Sequence, residues 1–324
     1  MPSHLNQNAV IECVPNFSEG TDEAKVASIV AAMQVEGVRL LDWSLDGAHN
    51  RSVVTIAGAP TGVLESAVRG VGRAAQLIDL TKQKGEHPRI GAADVVPFVP
   101  VSGVSLAECA MMARQAGLEI WRRYGVPVYF YEAAAARPDR VNLEDVRRGQ
   151  FEGLLETAYR DAGRRPDVGG PEIHPTAGAS AVGARSFLIA YNIYLDSPKK
   201  TAGGGLTLAA QADIAVARAV ARSIRASAGG LHGVKAIGVS VNGRAQVSMN
   251  ITDFRVTPMS RVHDKVRELA QTHGAVAAEG EIIGLIPLEA YDPQAEWLRE
   301  IPNFDPEAKV LERRLEHPLP WPVG

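Results

Sequence analysis

The stretch KQKGEHPRIGAADVVPFVPV, residues 82–101, decides how the rest of this sequence is arranged. It places His87 between two glycines and then continues as an apolar run typical of a buried strand. The following Pro88 disfavours the helical region for His87, which we therefore expect on extended backbone. An imidazole titrates near pH ~6.5, so a histidine presented in this way can accept and return a proton at neutral pH. An incidental histidine in a surface loop is the alternative that this stretch leaves open.

The segments around this stretch alternate between strand and helix patterns. The N-terminal half predicts a strand at 9–14, a helix after Thr21, strands at 38–43 and 51–57, a helix from Pro60 and a strand at 94–101. This order, β-α-β-β-α-β, is that of a ferredoxin-like unit. A helix at 105–124 and a strand at 128–131 extend it.

The same unit returns in the C-terminal half. Its predicted elements are a strand at 187–195, a helix at 206–225, strands at 234–241 and 245–254, a helix at 258–273 and a strand at 275–286. Asn242 and Gly243 predict a tight turn between its middle strands. We therefore expect an α/β (α+β) fold of two ferredoxin-like βαββαβ subdomains with facing mixed sheets, at residues 1–180 and 181–324 with a C-terminal tail.

The stretch between the two halves, residues 164–183, lacks periodicity and is rich in glycine and proline. An irregular segment of this length within a folded protein is usually a linker or a binding loop. We expect it to be both.

Two regions predict a polar cleft. In AQVSMNITDF, residues 245–254, the side chains of Ser248 and Asn250 alternate with apolar ones, so they face either the cleft between two stacked sheets or water. The first-half hairpin SLDGAHN, residues 44–50, is longer than a hairpin needs and is followed by Arg51. Such polar insertions occur at functional sites, although surface loops also tolerate them.

Composition narrows the class of partner. The 324 residues are 46% hydrophobic and 22% charged, and their net charge is −3, which argues against nucleic acid as a partner.

Cys13 and Cys109 predict two buried thiols. The N-terminus lacks a signal pattern, and no apolar run approaches the ~20 residues of a membrane span, so we expect a cytoplasmic protein that does not enter membranes.

Other chemistry-bearing motifs do not fit. Gly203–Gly205 lacks the Lys-Ser/Thr of a phosphate loop, and the sequence contains neither H-E-x-x-H nor G-x-S-x-G. His49, His87 and Asp94 could bind a metal only through a coincidence of the fold, so we expect no metal. Five other histidines are expected to be solvated: His4, His232, His263, His273 and His317.

Several motifs together resemble one family. IECVPNFSEG (11–20), HNRSVVTIAG (49–58), KGEHPRIGAADVVPFVPV (84–101), GARSFLIAYNIYL (183–195) and AQVSMNITDF (245–254) are similar to the glutamate formiminotransferases, that is, to the formiminotransferase domain without a cyclodeaminase domain. The similarity covers nearly the whole chain, in the family's order.

The resemblance implies site residues. It makes His87 the catalytic acid/base. It also matches residues 170–178 to the folate-binding segment that follows the family's PDFGP motif, for which PDVGGP (166–171) stands here. The folate-binding residues are Gly170, Pro171, Glu172, Ile173, His174, Pro175, Thr176, Ala177 and Gly178. The predicted substrate-binding residues are His49, Asn50, Arg51, Arg89, Arg185, Asn192, Ser248 and Asn250. Tyr194 replaces the second asparagine of the family's N-x-N-L.

The implied function is transfer of the formimino group of N-formimino-L-glutamate to tetrahydrofolate, the co-substrate, in histidine degradation. Arginines, with Lys84, suit the carboxylates of both substrates, although each could equally form a surface ion pair. A homodimer is expected. Folate-dependent formyl transfer, 5-formyltetrahydrofolate cyclisation and folate binding without catalysis are the alternatives.

Overall fold

A computed structural model describes residues 9–47, 49–85, 88–200 and 206–323, with side chains excepted at 198–200 and 206–211. The chain divides into two units. The first comprises Met1–Ser186 and Pro318–Gly324, and the second comprises Phe187–His317.

The first unit is built on a mixed sheet. Its elements are β1 (Val10–Cys13), β2 (Asn16–Phe17), α1 (Glu23–Ala32), β3 (Val38–Asp46), β4 (Arg51–Gly58), α2 (Pro60–Leu77), β5 (Ala93–Ser102), α3 (Leu106–Tyr124), β6 (Val128–Glu132), α4 (Leu143–Val146), α5 (Gln150–Thr157) and β7 (Ser180–Ala184). The neighbouring strands β3, β4, β1 and β5 are antiparallel, as in a ferredoxin-like unit. β7 and β6 then extend the sheet in parallel beyond β5.

The second unit repeats this order in an antiparallel sheet. Its elements are β8 (Ile189–Lys200), β9 (Leu206–Gln211), α6 (Ile214–Ile224), β10 (Val234–Val241), β11 (Arg244–Ile251), α7 (Met259–Thr272), β12 (Val276–Ile283), α8 (Glu296–Arg299), α9 (Pro306–Lys309) and α10 (Leu311–Glu316). The strands neighbour one another as β10, β11, β8 and β12, and β9 pairs with the end of β8. The predicted α/β class with two ferredoxin-like βαββαβ units is confirmed, but the second sheet pairs its described strands antiparallel and is not mixed as predicted.

Each sheet carries its helices on an apolar core. In the first unit, α2 begins at Pro60 and buries Val63, Ala67 and Val71. Pro60 suits a first helical position because its missing N–H would be unpaired there in any case. In the second unit, Val247, Met249 and Ile251 of β11 join the core formed with α6 and α7, as the predicted alternation requires. The strand ends at Ile251, short of the predicted residue 254, and Gln246 is also buried.

Three further predictions need correction. The predicted helix at 206–225 begins only at Ile214, because Asp213 caps it and residues 206–211 pair with β8 as a strand. His263, expected in water, is 1% exposed, and its Nε2 lies 2.8 Å from a carboxylate oxygen of Glu300.

The third correction concerns the irregular stretch at 164–183, which does not link the two units. It belongs to the first unit, where Asp167 forms a buried ion pair of 2.6 Å with Arg140. The same carboxylate accepts a 2.8 Å hydrogen bond from the Phe130 backbone N–H, and Val128 pairs with Val168.

None of the helices in the described ranges has the length and apolar character that a membrane crossing requires.

Candidate active site

The loop between α2 and β5 forms the first part of the predicted site. His87 and the residue before it lie outside the described residues, but both stems of the loop are described. Arg89 ties the stems together, because its Nη2 donates to the carbonyl oxygen of Gln83 at 2.9 Å and to that of Leu80 at 3.3 Å. The same atom lies 3.0 Å from Glu152 in an ion pair. This guanidinium, predicted to bind substrate, is thus engaged by the loop itself.

Asn50 joins the β3–β4 hairpin to the first stem of the loop. Its Oδ1 accepts a 2.9 Å hydrogen bond from the backbone N–H of Gly20. Its Nδ2 donates to the carbonyl oxygen of Lys84 at 2.9 Å and to the side-chain oxygen of Gln83. Three separate stretches of sequence therefore meet at this one amide.

The hairpin passes so close to the loop that only glycine fits at position 85. A Cβ atom on Gly85 would lie 2.6 Å from the carbonyl oxygen of His49 and 2.9 Å from the Cβ of Asn50. His49 is held in turn by Asp46, which accepts a 3.0 Å bond from its backbone N–H and lies 2.6 Å from its Nδ1. Although partial burial raises the pKa of Asp46, hydrogen bonds from His49 lower it overall.

A buried carboxylate, that of Glu19, lies under the first stem. The side chain is 2% exposed and receives Lys25 Nζ at 2.6 Å and Gln83 Nε2 at 3.0 Å. It also accepts hydrogen bonds from Thr21 and from the backbone N–H of Asp22. Burial alone would raise the pKa of Glu19, but these donors lower it to about 2, so the group is ionised at neutral pH.

The second stem rests on Asp94, which is 1% exposed. Its Oδ1 accepts a 2.8 Å bond from the backbone N–H of Ile90, and its Oδ2 forms an ion pair with Arg147. Arg51 lies close by: burial and the like charge of Arg147 lower its pKa, against the opposing effect of Asp94 and Asp46. The guanidinium groups of Arg51 and Arg147 lie beside the one buried carboxylate of Asp94, and we call this region the positive corner. Its two positive charges make it suited to anions.

These side chains pack against one another around a narrow crevice in the first unit. The crevice has a volume of about 10 Å³, roughly enough for one water molecule. It is lined by Ser18, His49, Asn50, Arg51, Gln83, Lys84, Gly85, Arg89 and Asp94. Of the predicted substrate residues, the structure thus brings together four: His49, Asn50, Arg51 and Arg89.

The predicted folate segment, Gly170–Gly178, packs beside the same loop. Backbone hydrogen bonds of 2.8 to 2.9 Å join Leu80 with Thr176, Ala92 with Ala177 and Ala179 with Ile90. Gly178 has a φ of +69°, and a Cβ atom there would overlap the carbonyl oxygen of Ile90. The two stretches that the sequence assigns to chemistry, around His87 and at 170–178, therefore run side by side.

His174 and Gly178 close the C-terminal part of this segment into a small turn. Its backbone exchanges two 2.9 Å hydrogen bonds with Gly178, and its Nδ1 accepts from the backbone N–H of Ala177 at 3.0 Å. An Nδ1 that accepts leaves the proton of the neutral ring on Nε2. Burial lowers the pKa of His174, so the neutral imidazole predominates at pH 7.

The second unit carries the other predicted polar residues on one face of its sheet. Glu281 Oε2 accepts from Asn192 Nδ2 at 3.2 Å and from Gln246 Nε2 at 3.4 Å. Ser248 lies opposite Asn192 in the strand register, and Asn250 is exposed two residues further along. Beside β12 lies a cavity of about 350 Å³, whose lining includes Tyr194, Glu279, Glu281, Phe304 and Lys309.

Arg185 stands apart from the crevice. It follows β7 in the first unit, where its Nη1 donates to the carbonyl oxygen of Ser186 at 3.1 Å. It is absent from the lining of the crevice among the described residues.

Sequence reasoning missed Glu19, Gln83, Arg147 and Glu281. Glu19 and Gln83 lie within quoted stretches of sequence. A polar residue shortly after a strand, or within the loop before β5, was a usable signal for them. Arg147 lies in a charged run that resembles any solvated surface, and nothing in the sequence marks it. No group of His, Cys, Asp or Glu side chains that could hold a metal ion occurs in the described part of the chain.

Two family descriptions match consecutive parts of the chain. Residues 10–185 match the family described as "Formiminotransferase domain, N-terminal subdomain", and residues 190–303 match "Formiminotransferase domain". The chain belongs to the formiminotransferase domain family. The resemblance inferred from the sequence motifs is confirmed.

Curated relatives extend over the same region. The chain is 41% identical to a protein of Streptococcus pyogenes named glutamate formimidoyltransferase, across 94% of this chain and 98% of that protein. It is 38% identical to a protein of the same name from Thermoplasma acidophilum, across 95% and 98%. The formimidoyltransferase-cyclodeaminase of Mus musculus is 39% identical over 87% of this chain, which spans 51% of that longer protein.

Proposed function

We propose that this protein transfers the formimidoyl group of N-formimidoyl-L-glutamate to tetrahydrofolate, a step of histidine degradation. The names of its full-length relatives support the reaction. The observation that carries the proposal is the pairing of the loop bearing His87 with residues 176–179, at the end of the predicted folate segment, through three backbone hydrogen bonds. Catalysis and folate binding are thereby assigned to neighbouring segments of one unit.

The chemistry requires one group that moves a proton twice. N5 of tetrahydrofolate attacks the formimidoyl carbon, and a bond forms between these two atoms. The bond between this carbon and the glutamate nitrogen then breaks, which releases glutamate and 5-formimidoyltetrahydrofolate. We assign to His87 the removal of the N5 proton and its delivery to the departing nitrogen, a role that suits an imidazole near neutral pH. No redox step is involved.

Residues 170–178 are proposed as the folate-binding segment. The dicarboxylate donor and the folate tail need cationic partners, and the positive corner around Arg51 and Arg147 supports binding of a carboxylate there. The other proposed substrate-binding residues are His49, Arg89 and Arg185 in the first unit and Asn192, Ser248 and Asn250 in the second. We propose that the two predicted subdomains correspond to the two units.

A comparison of two donors tests the reaction. The purified protein is mixed with tetrahydrofolate and either N-formimidoyl-L-glutamate or N-formyl-L-glutamate, and the pterin absorbance is followed. We expect turnover with the formimidoyl donor. Turnover with the formyl donor alone would show formyl transfer instead, and folate binding without turnover of either donor would show a binding protein.

We further propose a cytoplasmic homodimer. Both cysteines of the chain are buried and free, as is usual in a reducing compartment. Light scattering coupled to size exclusion is expected to give twice the 34.6 kDa chain mass. Cell fractionation checks the compartment.

A further inference from the structure

We propose that Asn50 is a positioning residue: its side chain holds the loop that presents His87, and it does not bind substrate. This inference rests on the proposed function, because it takes His87 as the proton carrier. Its starting point is the hydrogen bonding of the Asn50 amide. Both Nδ2 hydrogens go to the first stem of the loop, at Lys84 and Gln83, and Oδ1 accepts from Gly20. A substrate would have to displace these protein partners.

The contacts also fix which way the amide faces. Turned over, it would place its NH₂ group against the N–H of Gly20 and its oxygen against the carbonyl oxygen of Lys84. Both ends would then repel their neighbours. The orientation in which nitrogen faces the loop is therefore the one that these contacts select.

The residue type fits this role. Asn50 has a φ of +49°, a left-handed conformation in which asparagine, aspartate and glycine are favoured. Of these three, only asparagine supplies two side-chain hydrogen-bond donors. The position therefore needs a side chain that combines a left-handed backbone with donation to the loop.

Gln83, on the loop side of the contact with Asn50, is itself held by a buried carboxylate. Gln83, which accepts from Asn50, donates at 3.0 Å to Glu19, and that buried carboxylate is paired with Lys25 at 2.6 Å. The stem is thus held between the hairpin and α1.

Paired glycine substitutions test the proposal. Asn50→Gly keeps the left-handed backbone and removes the amide. Asn242→Gly is the matched control, because Asn242 lies in the turn of the β10–β11 hairpin, where it has a φ of +51° and an exposed side chain. Asn50→Asp is the second variant, since it keeps the acceptor for Gly20 and loses both donors. The readouts are kcat, KM for both substrates, and amide exchange of residues 80–92.

For Asn50→Gly and Asn50→Asp we expect kcat to fall about 10- to 100-fold, as a misplaced catalytic group predicts, with each KM within about 2-fold of wild type. Amide exchange in the loop should become faster in both. Asn242→Gly should leave all readouts unchanged. A raised KM at unchanged kcat would make Asn50 a substrate ligand and overturn the proposal, and so would unchanged loop exchange. If the wild type turns over neither donor, the proposed function fails, while the exchange data still decide whether Asn50 holds the loop.

Discussion

The two units close the same hairpin in different ways. In the first, β3 and β4 pair as far as Asp46 and Arg51 and are joined through residues 47–50. In the second, β10 and β11 pair as far as Val241 and Arg244 and are joined by two residues alone. Both connections place an asparagine in the left-handed region, Asn50 at +49° and Asn242 at +51°. Both turns therefore use a left-handed asparagine, but the two side chains differ in what they contact.

The difference shows how one architecture acquires a contact between two connections in its first copy. The minimal turn of the second unit closes the hairpin and leaves Asn242 exposed. The longer turn of the first unit lies against the loop before β5 and places the Asn50 amide on it. That loop is itself the longer member of a pair, because α2 and β5 are joined through residues 78–92 whereas α7 and β12 are joined through residues 273–275. Two longer connections that touch each other distinguish the first unit.

The largest effect is expected from His87→Ala. General acid-base catalysis is worth about 10²- to 10⁴-fold, so turnover should fall by that factor while folate binding and the fold are retained. His273→Ala is the matched control, since His273 is an exposed histidine in the corresponding connection of the second unit. Turnover and folate affinity are measured on the same preparations. Unchanged turnover in His87→Ala would remove His87 from the mechanism.

The second prediction concerns the buried ion pair below the loop. Asp94→Ala leaves Arg147 without its partner and the Ile90 N–H without its acceptor, so we expect the free energy of unfolding to fall by about 3 to 5 kcal/mol. Glu289→Ala breaks the exposed pair with Arg255 in the second unit and should cost less than about 1 kcal/mol. Chemical denaturation checks both values. Equal losses would show that burial does not distinguish the two pairs.

The third prediction is a dependence of stability on pH. The pKa of Glu19 is lowered to about 2 in the folded chain, below the ~4.3 of an unperturbed glutamate. Its ionised form therefore stabilises the fold above pH ~4.5, and this contribution is lost as the pH falls towards 2.

Glu19→Gln tests this. The variant should be less stable than wild type at pH 7, and the difference should shrink between pH 4.5 and 2. Glu296→Gln, at an exposed position of the second unit, should follow the wild-type curve throughout. The measurement is denaturant unfolding at a series of pH values, and a difference that stays constant down to pH 2 would contradict the assignment.

Local patterns predicted most of the fold. The strand β10 has the predicted bounds, 234–241, and α2 begins at the predicted Pro60. Residues 206–211 were misassigned because their composition also suits a helix, and pairing with β8 overrides that local preference. The alternation in LTL and the capping Asp213 were the available signals. His263 could have been found buried, since it occupies the apolar face of α7 with Met259, Val262 and Val266.

The candidate site was predictable only in part, because contacts between distant parts of the chain form it. Sequence singled out the hairpin and the loop separately, the hairpin for its length and the loop for a histidine between two glycines. Their contact depends on residues far apart in the chain: Asn50 meets Lys84 across 34 positions, and Arg147 meets Asp94 across 53. No periodicity or spacing records such a contact. The roles of Asn50 and Arg89 in holding the loop follow from packing alone.

The smallest effect is expected in residues 170–178, the proposed folate-binding segment. In the structure, residues 174–179 already hydrogen bond to the loop and to one another, whereas Gly170, Pro171 and Glu172 are exposed. Backbone amides held in this way exchange slowly without any ligand. We therefore expect tetrahydrofolate to slow exchange several-fold at residues 170–173 and by less than about 2-fold at 174–179. A peptide covering the Asn242 turn serves as the unaffected control. Fast exchange at 174–179 without folate, followed by strong protection with it, would show instead that folate itself docks this segment against the loop.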